Sequence, residues 1–384
     1  MTTRLRVGHV TTCRSDYGPA YWLIHDLFHT PSIEPLLFVG GAHLAVHQGE
    51  TVREIERDGW SIAARIPFLG ADGEASPHAL AAALSGFGDA FDATSPDLVI
   101  LYGDRVELLA AATAATVRAI PIAHICGGDI TEGAIDDQVR HAVTKLAHVH
   151  FPSTTSATQR LLQMGEEPWR VHHTGDPALD HFTRGERSNP AELEDVLGFI
   201  PDRSTLLVTM HPTTLDLGSN ATAASELVEA LRAYAGPIVI TAPAPDPGSE
   251  VVRSALAELA TSRPSTVFVE SLGSRRYRSL LPQIGAMVGN SSSGLIEAPE
   301  AGLPVVNIGS RQAGRDRGAN VIDVEPTSRA IGMGIARALD PVFRSTFVGR
   351  PNPYGNGTAA RSIVELLAKL PDRTTLLRKR FVTR

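Results

Sequence analysis

The chain has few of the residues that would place it in a special structural class. Two cysteines, Cys13 and Cys126, among 384 residues are too few for a disulfide framework. A net charge of −7 argues against nucleic acid as the main partner. No apolar run reaches the roughly 18 residues of a membrane span, and the first residues lack the apolar core of a signal peptide. We therefore expect a cytoplasmic protein that binds neither nucleic acid nor membranes.

The common cofactor motifs are also missing. The turn after the first predicted strand reads TTCRSDYG rather than G-x-G-x-x-G, which argues against a nicotinamide dinucleotide. The chain contains no G-x-x-x-x-G-K-[ST] motif, and its histidines show no H-E-x-x-H or similar spacing. We expect neither a cofactor nor a metal ion.

Apolar runs of strand length alternate with helix-length segments along the whole chain. Such runs are typical of parallel strands that are buried on both faces. The predicted strands span residues 5–11, 35–40, 97–103, 121–127, 148–153, 205–211, 237–243, 266–271, 285–290 and 304–309. The pattern predicts an α/β protein of two Rossmann-like parallel-sheet domains facing across a cleft, with ligands at the carboxyl ends of the strands.

The same pattern predicts domain boundaries. We expect an N-terminal domain at 1–180, a charged linker region at 181–204, a C-terminal domain at 205–360, and a C-terminal helix with a basic tail at 361–384. The basic residues of that tail are expected to be solvated. They are Arg378, Lys379, Arg380 and Arg384.

The run MVGNSSSGLIEAPEAGLPVVNIG, residues 287–309, predicts a strand, a Ser-rich turn, a helix and a second strand. Unpaired N–H groups and hydroxyls at such a helix start favour an anion such as phosphate. The alternative is a well-capped helix without a ligand, because Ser and Asn are also favoured N-caps. Glu297 follows about one turn later, where a carboxylate can accept the hydroxyls of a ribose.

Polar residues follow most of the predicted strands directly. Each has a structural explanation when taken singly, such as capping a helix, but together they indicate an acid/base site for a nucleotide-linked substrate. In the first half they are Arg14, Asp16, His43, Asp104, Arg105, Asp129, Glu132, Asp136, Asp137, Arg140 and His141. In the second half they are His211, Arg311, Arg315 and Arg317.

Four motifs resemble the UDP-N-acetylglucosamine 2-epimerases, in particular the hydrolysing branch that supplies N-acetylmannosamine-type sugars for sialic and legionaminic acids. The motifs are GDRVELLAAATAA, HICGGDITEGAIDDQVRHAVTKLAHVHF, VTMHPTT and VGNSSSGLIEAP with GLPVVNIGSRQAGR. The resemblance runs colinearly from about residue 5 to 340. It implies the glycosyltransferase-B architecture and a homo-oligomer, either a homodimer or a homotetramer.

The resemblance also implies a reaction. UDP leaves first, a base removes the C2 proton to give a 2-acetamidoglucal, and hydration gives N-acetylmannosamine, or a modified analogue, and free UDP. By resemblance, the proton-transfer residues are Asp104, Asp136 and His211. The UDP-sugar residues implied are Arg14, His43, Arg105, Asn290, Ser291, Ser292, Glu297, Arg311 and Arg315. A non-hydrolysing epimerase, a glycosyltransferase and a non-catalytic nucleotide-sugar binder are the alternatives.

Cys126 departs from the family pattern. The family often has H-I-E-G-G-E where this chain has Cys126 in place of the first acid and Asp129 in place of the second, and some relatives assigned modified sugars have histidine at the first position. A thiol is weakly acidic. We expect that Cys126 either widens the sugar pocket or passes the base role to Asp129 or Asp136. The alternative is that Cys126 is itself the base.

Overall fold

The computed structural model describes residues 4–70, 76–244 and 246–383. The chain divides into two compact units. Unit 1 comprises Met1–Asp129, Asp136–Asp180 and Tyr354–Arg384, and unit 2 comprises Ile130–Ile135 and His181–Pro353. Each unit contains one six-stranded sheet.

The described residues form twelve strands and sixteen α-helices. The strands are β1 (Leu5–Thr11), β2 (Ile33–Gly40), β3 (Ile62–Ile66), β4 (Leu98–Tyr102), β5 (Ile122–Ile125), β6 (Val149–Phe151), β7 (Leu206–Thr209), β8 (Ile238–Thr241), β9 (Thr266–Val269), β10 (Ala286–Gly289), β11 (Val305–Ile308) and β12 (Val321–Val324). The helices are α1 (Arg14–His29), α2 (Val52–Arg57), α3 (Pro77–Thr94), α4 (Val106–Val117), α5 (Asp136–Leu146), α6 (Thr155–Gln163), α7 (Asp180–Arg184), α8 (Pro190–Leu197), α9 (Asn220–Arg232), α10 (Ser249–Ser262), α11 (Gly273–Leu280), α12 (Ser293–Ile296), α13 (Ser328–Ala338), α14 (Pro341–Ser345), α15 (Ala359–Leu367) and α16 (Arg373–Leu377).

The two sheets have the same topology. Unit 1 has the order β3-β2-β1-β4-β5-β6, and unit 2 has β12-β11-β10-β7-β8-β9, which is the same order read from the other edge. All strand pairs are parallel. In each sheet the strand order runs outward in one direction and then in the other, starting from two adjacent central strands. These are β1 and β4 in unit 1 and β7 and β10 in unit 2, and the place between them is the reversal point of the sheet. Ligands of such sheets bind beyond the carboxyl ends of these central strands.

The central strands are buried on both faces, as their apolar sequences predict. In unit 1, one face of the sheet packs on α3 and α4 through residues such as Phe38, Phe87 and Leu101, and the other packs on α1 and α15. Each buried side chain of this size stabilises its unit by roughly 1.5–3 kcal/mol. The ten predicted strands are all present, and the prediction of an α/β fold with two parallel sheets is confirmed.

The segment that follows Asp180 folds as part of unit 2. Residues 181–204, the predicted linker region, include most of α7 and all of α8, and Leu193 and Leu197 of α8 are buried in the core of unit 2. The C-terminal segment from Tyr354 folds with unit 1, where Ile363 of α15 is buried.

The basic tail is only partly solvated. Arg378 and Arg380 are exposed, but the ammonium group of Lys379 lies 2.7 Å from Glu166 Oε2 and donates to the carbonyl oxygen of Ala147 at 2.7 Å. The prediction of a solvated tail is therefore wrong for Lys379, because the buried Glu166 carboxylate requires a cation. Arg384 lies outside the described residues.

Among the described residues, no helix combines the length and the apolar character that a bilayer crossing needs.

Candidate functional site

In unit 2, hydrogen bonds between the Asn290 side chain and the His211 backbone join the loop after β10 to the loop after β7. The side chain of Asn290, directly after β10, accepts a hydrogen bond from His211 N at 2.7 Å and donates to His211 O at 2.9 Å. The two loops are therefore fixed to each other. The Asn290 side chain is buried in this role, so its predicted contact with substrate stays a prediction.

Gly289 makes this close approach possible. Its φ is +137°, and a Cβ at this position would lie 1.9 Å from Thr209 O of β7. No other residue type fits there without moving a strand. The first glycine of VGNSSSG, Gly289, is thus required by the close packing of β10 on β7, whether or not the turn contacts a phosphate.

The Ser-rich turn leads into a helix of a single turn, Ser293–Ile296. The strand, turn, helix and second strand that the sequence predicts are therefore present, although the helix is short. Ser291 Oγ accepts from Ser293 N at 3.4 Å, and Ser293 Oγ lies 2.6 Å from the hydroxyl of Tyr277. Within the described part of the chain, the Ser292 hydroxyl has no hydrogen-bond partner and is half-exposed.

Glu297 immediately follows this turn and is half-buried. Its charge acts on two residues of α11 that the sequence did not single out. Burial raises the pKa of the Tyr277 hydroxyl, and Glu297 raises it further. Burial lowers the pKa of the Arg278 guanidinium to about 10, and Glu297 opposes that change. A carboxylate, a phenol and an arginine are thus gathered beside the Ser-rich turn.

His211 is neutral near pH 7. Burial, followed by the charge of Arg311, lowers the pKa of its imidazole to about 3, against an opposing effect of Asp246. Its Nδ1 accepts a hydrogen bond from Ala244 N at 2.9 Å, so the neutral ring carries its proton on Nε2. His211 therefore presents an N–H donor rather than a charged acid.

The loop after β11 carries the predicted arginines. Arg311 Nη1 donates to Asn290 O at 3.3 Å, and Gln312 Nε2 donates to the same oxygen at 2.9 Å. A Cβ on Gly133 would lie 2.7 Å from Arg311 Cα. The segment 130–135 is thus closely packed on this loop within unit 2.

Arg315 holds the same segment. Its Nε lies 3.3 Å from both Ile130 O and Thr131 Oγ1, and Glu132 N donates to Ala313 O at 3.3 Å. Glu132 itself is exposed. Arg315 therefore has a structural role whether or not it also contacts an anion.

In unit 1, the turn after β1 contains a buried acid. Asp16 accepts hydrogen bonds from Thr12 N at 3.0 Å and from the Thr11 hydroxyl, and its Oδ1 lies 3.9 Å from His43 Nε2. Burial alone would raise the pKa of the Asp16 carboxyl, but His43 and the threonine donors hold it below its usual value. His43 is fully buried with both ring nitrogens hydrogen-bonded to threonines, the second to Thr51. Its predicted contact with substrate stays a prediction.

The most prominent ion pair of unit 1 joins the loop after β4 to α5. Arg140 is fully buried, and its guanidinium pairs with Asp104 and lies 3.3 Å from Asp137 Oδ1. It also donates to the carbonyl oxygen of Asp129 at 3.1 Å. One buried cation thus positions three acidic residues, two by their side chains and one by its backbone.

His124 fixes the turn that precedes Asp104. Its Nε2 lies 2.8 Å from Gly103 O and its Nδ1 lies 3.1 Å from Thr144 Oγ1. Burial lowers the pKa of this imidazole to about 4, so it is neutral near pH 7. Gly103 has a φ of +87°, a conformation that favours glycine.

The remaining predicted residues of unit 1 have diverse surroundings. The Asp129 carboxylate is buried and accepts from Ser153 Oγ at 3.0 and 3.1 Å. Arg105 lies 3.3 Å from the buried Glu107. Arg14, in the first turn of α1, is exposed, and Asp136 is half-exposed at the start of α5.

Cys126 is nearly buried directly after β5 and has a φ of +61°, in the left-handed region. Its Sγ donates to Asp176 Oδ2 at 3.5 Å, and the hydroxyl of Tyr102 donates to Asp176 Oδ1 at 2.9 Å. Asp176 lies 50 residues from Cys126 along the chain, and no local motif indicates the contact.

No cluster of three or more His, Cys, Asp or Glu side chains suited to a metal ion occurs in residues 4–70, 76–244 and 246–383. The edge of unit 1 offers carboxylates, a thiol and arginines. The corresponding edge of unit 2 offers hydroxyls, a neutral imidazole and arginines.

Solved structures with the same fold define the class. A Neisseria meningitidis UDP-GlcNAc 2-epimerase bound to UDP-GlcNAc superimposes with a TM-score of 0.83 and 20% identity over 95% of this chain and all of that one. A Methanocaldococcus jannaschii UDP-GlcNAc 2-epimerase in complex with UDP-GlcNAc and UDP gives a TM-score of 0.79 and 17% identity over the same shares. The chain thus has the α/β fold of the glycosyltransferase-B type, as predicted.

The family follows from sequence. The model of the UDP-N-acetylglucosamine 2-epimerase family matches residues 25–368, so the chain belongs to this family and is an enzyme. A Legionella pneumophila UDP-N,N'-diacetylbacillosamine 2-epimerase (hydrolyzing) is 35% identical over 97% of this chain and 98% of the relative. A Campylobacter jejuni GDP/UDP-N,N'-diacetylbacillosamine 2-epimerase (hydrolyzing) is 32% identical over 99% of both. The predicted family and the predicted 2-epimerase activity are confirmed, and these two relatives are named as hydrolysing enzymes, in agreement with the predicted branch.

Proposed function

We propose that the protein eliminates UDP from a UDP-2-acetamido sugar and hydrates the resulting 2-acetamidoglucal to the C2 epimer and free UDP. The observation that carries this proposal is the buried Arg140, which holds Asp104 and Asp137 in place. A protein that only binds nucleotide sugars does not need several fixed carboxylates, whereas proton transfer at carbon does.

Unit 2 is proposed to bind the nucleotide. The half-exposed hydroxyls of Ser291 and Ser292 suit phosphate oxygens, and Glu297 suits the ribose hydroxyls. Arg311 supplies positive charge for the diphosphate, since its Nη1 donates to Asn290 O, and the Asn290 side chain bonds the backbone of His211. Tyr277 of α11 is added to this proposed site because its hydroxyl lies 2.6 Å from Ser293 Oγ in the Ser-rich turn, and Arg278 because the charge of Glu297 acts on its guanidinium.

Unit 1 is proposed to supply the proton transfers. The candidate acids and bases are Asp104, Asp136, Asp129 and Cys126. His211 of unit 2, with a proton on Nε2, is suited to donate a hydrogen bond to the departing diphosphate. In the elimination, the C2–H electron pair forms the C1–C2 double bond and the C1–O pair leaves with UDP.

The substrate is proposed to carry a modification at C4, as in UDP-N,N'-diacetylbacillosamine, which the names of two relatives specify. The small thiol of Cys126 leaves more room than the family glutamate. UDP-N-acetylglucosamine is the alternative substrate.

The test is proton NMR in deuterated water with each UDP-sugar in turn. We expect free 2-epimerised sugar with deuterium at C2, formed without added nicotinamide, and faster turnover of the modified sugar. A UDP-linked epimer would indicate the non-hydrolysing branch. Retention of the original C2 hydrogen, or no reaction with either sugar, would contradict the proposal. Asp92→Asn is a suitable control, because Asp92 is exposed and pairs with Arg118.

A further inference from the structure

A buried carboxylate lies behind the thiol of Cys126. Asp176 is 2% exposed and precedes the short 3₁₀ turn Pro177–Leu179. It receives three neutral donors: the Tyr102 hydroxyl at 2.9 Å, Ala178 N at 2.9 Å and the Cys126 thiol at 3.5 Å. These three uncharged donors help to fix the carboxylate in position.

The position of the thiol is fixed as well. Cys126 N donates to Phe151 O at 3.0 Å, and the left-handed backbone of Cys126, which L side chains rarely adopt, is a strain that the surrounding structure must offset. Burial, followed by the charge of Asp176, raises the pKa of the Tyr102 hydroxyl well above its usual value, so Tyr102 remains a donor. Cys126 directly follows β5, at the carboxyl edge of the sheet where ligands of parallel sheets bind.

We propose that Asp176 is a positioning residue for the elimination that acts through Cys126. This inference rests on the proposed function. The Cys126 sulfur takes the proton from C2 while its own S–H proton passes to Asp176 Oδ2. The C2–H electron pair forms the C1–C2 double bond, and the C1–O pair leaves with UDP. A weakly acidic thiol can thus take part in the reaction without existing as a free thiolate.

The experiment compares kcat, KM and deuterium incorporation at C2 for the full chain and four variants. Asp176→Asn keeps the size and the Oδ1 acceptor but cannot take the proton, and we expect kcat to fall about 100-fold with KM and UDP affinity within about threefold. Tyr102→Phe removes a donor to the same carboxylate and leaves the carboxylate, so we expect at most a fewfold loss. Cys126→Ser keeps an O–H relay and should retain more than a tenth of kcat, whereas Cys126→Ala should lose about 100-fold.

A rescue variant separates this role from a structural one. Cys126→Glu in the Asp176→Asn background moves the carboxylate to position 126, and we expect at least a tenfold recovery of kcat. Asp176→Asn with near-normal kcat, or the double variant no better than Asp176→Asn, would overturn the inference. Should Asp176→Asn fail to bind UDP, equal kcat values for Cys126→Ala and Cys126→Ser would overturn it instead. Absence of turnover in the parent chain would contradict the proposed function rather than the role of Asp176.

Discussion

The two units share one strand order but differ in the chemistry at the reversal point of the sheet. In unit 1 the loops after β4 and β5 carry Asp104, Cys126 and Asp129. Asp104 pairs with the buried Arg140, Asp129 accepts from the Ser153 hydroxyl, and the Cys126 thiol donates to the Asp176 carboxylate. In unit 2 the corresponding loops carry hydroxyls and a neutral His211. The difference shows that the fold fixes where a site forms, while the residues placed there decide whether it transfers protons or holds an anion.

The sharpest way to test this contrast is Asp104→Asn. The amide keeps the size of the side chain but neither takes up a proton nor balances the charge of Arg140, so we expect turnover to fall by about 100-fold or more. UDP affinity, measured by calorimetry, should change little. Asp92→Asn, the exposed control, should leave both unchanged. Near-normal turnover of Asp104→Asn would remove Asp104 from the chemistry.

His211→Asn tests the one exception to this division between the units. His211 lies in unit 2, but it is predicted to take part in the reaction and not only in binding. We expect turnover to fall about 100-fold, because the Nε2 donor is lost, with UDP affinity retained. Steady-state kinetics and calorimetry on the same preparation separate the two effects. A loss of UDP affinity with unchanged kcat would make His211 an ordinary binding residue.

Ser292→Ala and Glu297→Ala test the nucleotide role of unit 2. Each should weaken UDP binding by about 1–3 kcal/mol, the usual cost of a lost hydrogen bond to a charged group. Calorimetric titration with UDP is the measurement. The matched control is Glu300→Ala, an exposed acid three residues after Glu297. Unchanged affinity in both test variants would refute the nucleotide assignment.

A difference in acid sensitivity is the smallest expected effect. Burial lowers the pKa of His9, His124 and His148 of unit 1 to about 4, and His9 has no hydrogen-bond partner among the described residues. In the unfolded chain these groups titrate near 6.5. Below that pH the unfolded state binds more protons, so each group lowers the stability of unit 1 by about 1.4 kcal/mol per pH unit down to its folded pKa.

His9→Leu should therefore reduce the pH dependence of unit 1's stability by about 2 kcal/mol between pH 6.5 and pH 5. Denaturant unfolding followed at several pH values measures this change. His78→Leu, at an exposed position of α3, should leave the dependence as it is. An equal slope for His9→Leu and the parent chain would show that His9 does not titrate in this range.

The sequence predicted ten strands, including the edge strands β6 and β9, because each contains an apolar run without a charged residue. It missed β3 and β12, which lie at the sheet edges and are only partly buried, so their sequences mix polar with apolar residues. Asp104 and His211 could be predicted as site residues because the apolar runs show where the strands end, and these polar residues stand at those ends. Asp176, Tyr277 and Arg278 could not, because their roles depend on contacts between segments far apart in the chain.

The order in which the units are built from the chain has a consequence for synthesis. Unit 2 ends at Pro353, but unit 1 needs Tyr354–Arg384, whose α15 covers one face of its sheet. A ribosome delivers the chain from its N-terminus at about 5–20 residues per second. The unit that begins first therefore completes last, and until then the apolar surface that Ile363 and Leu367 cover stays open to water.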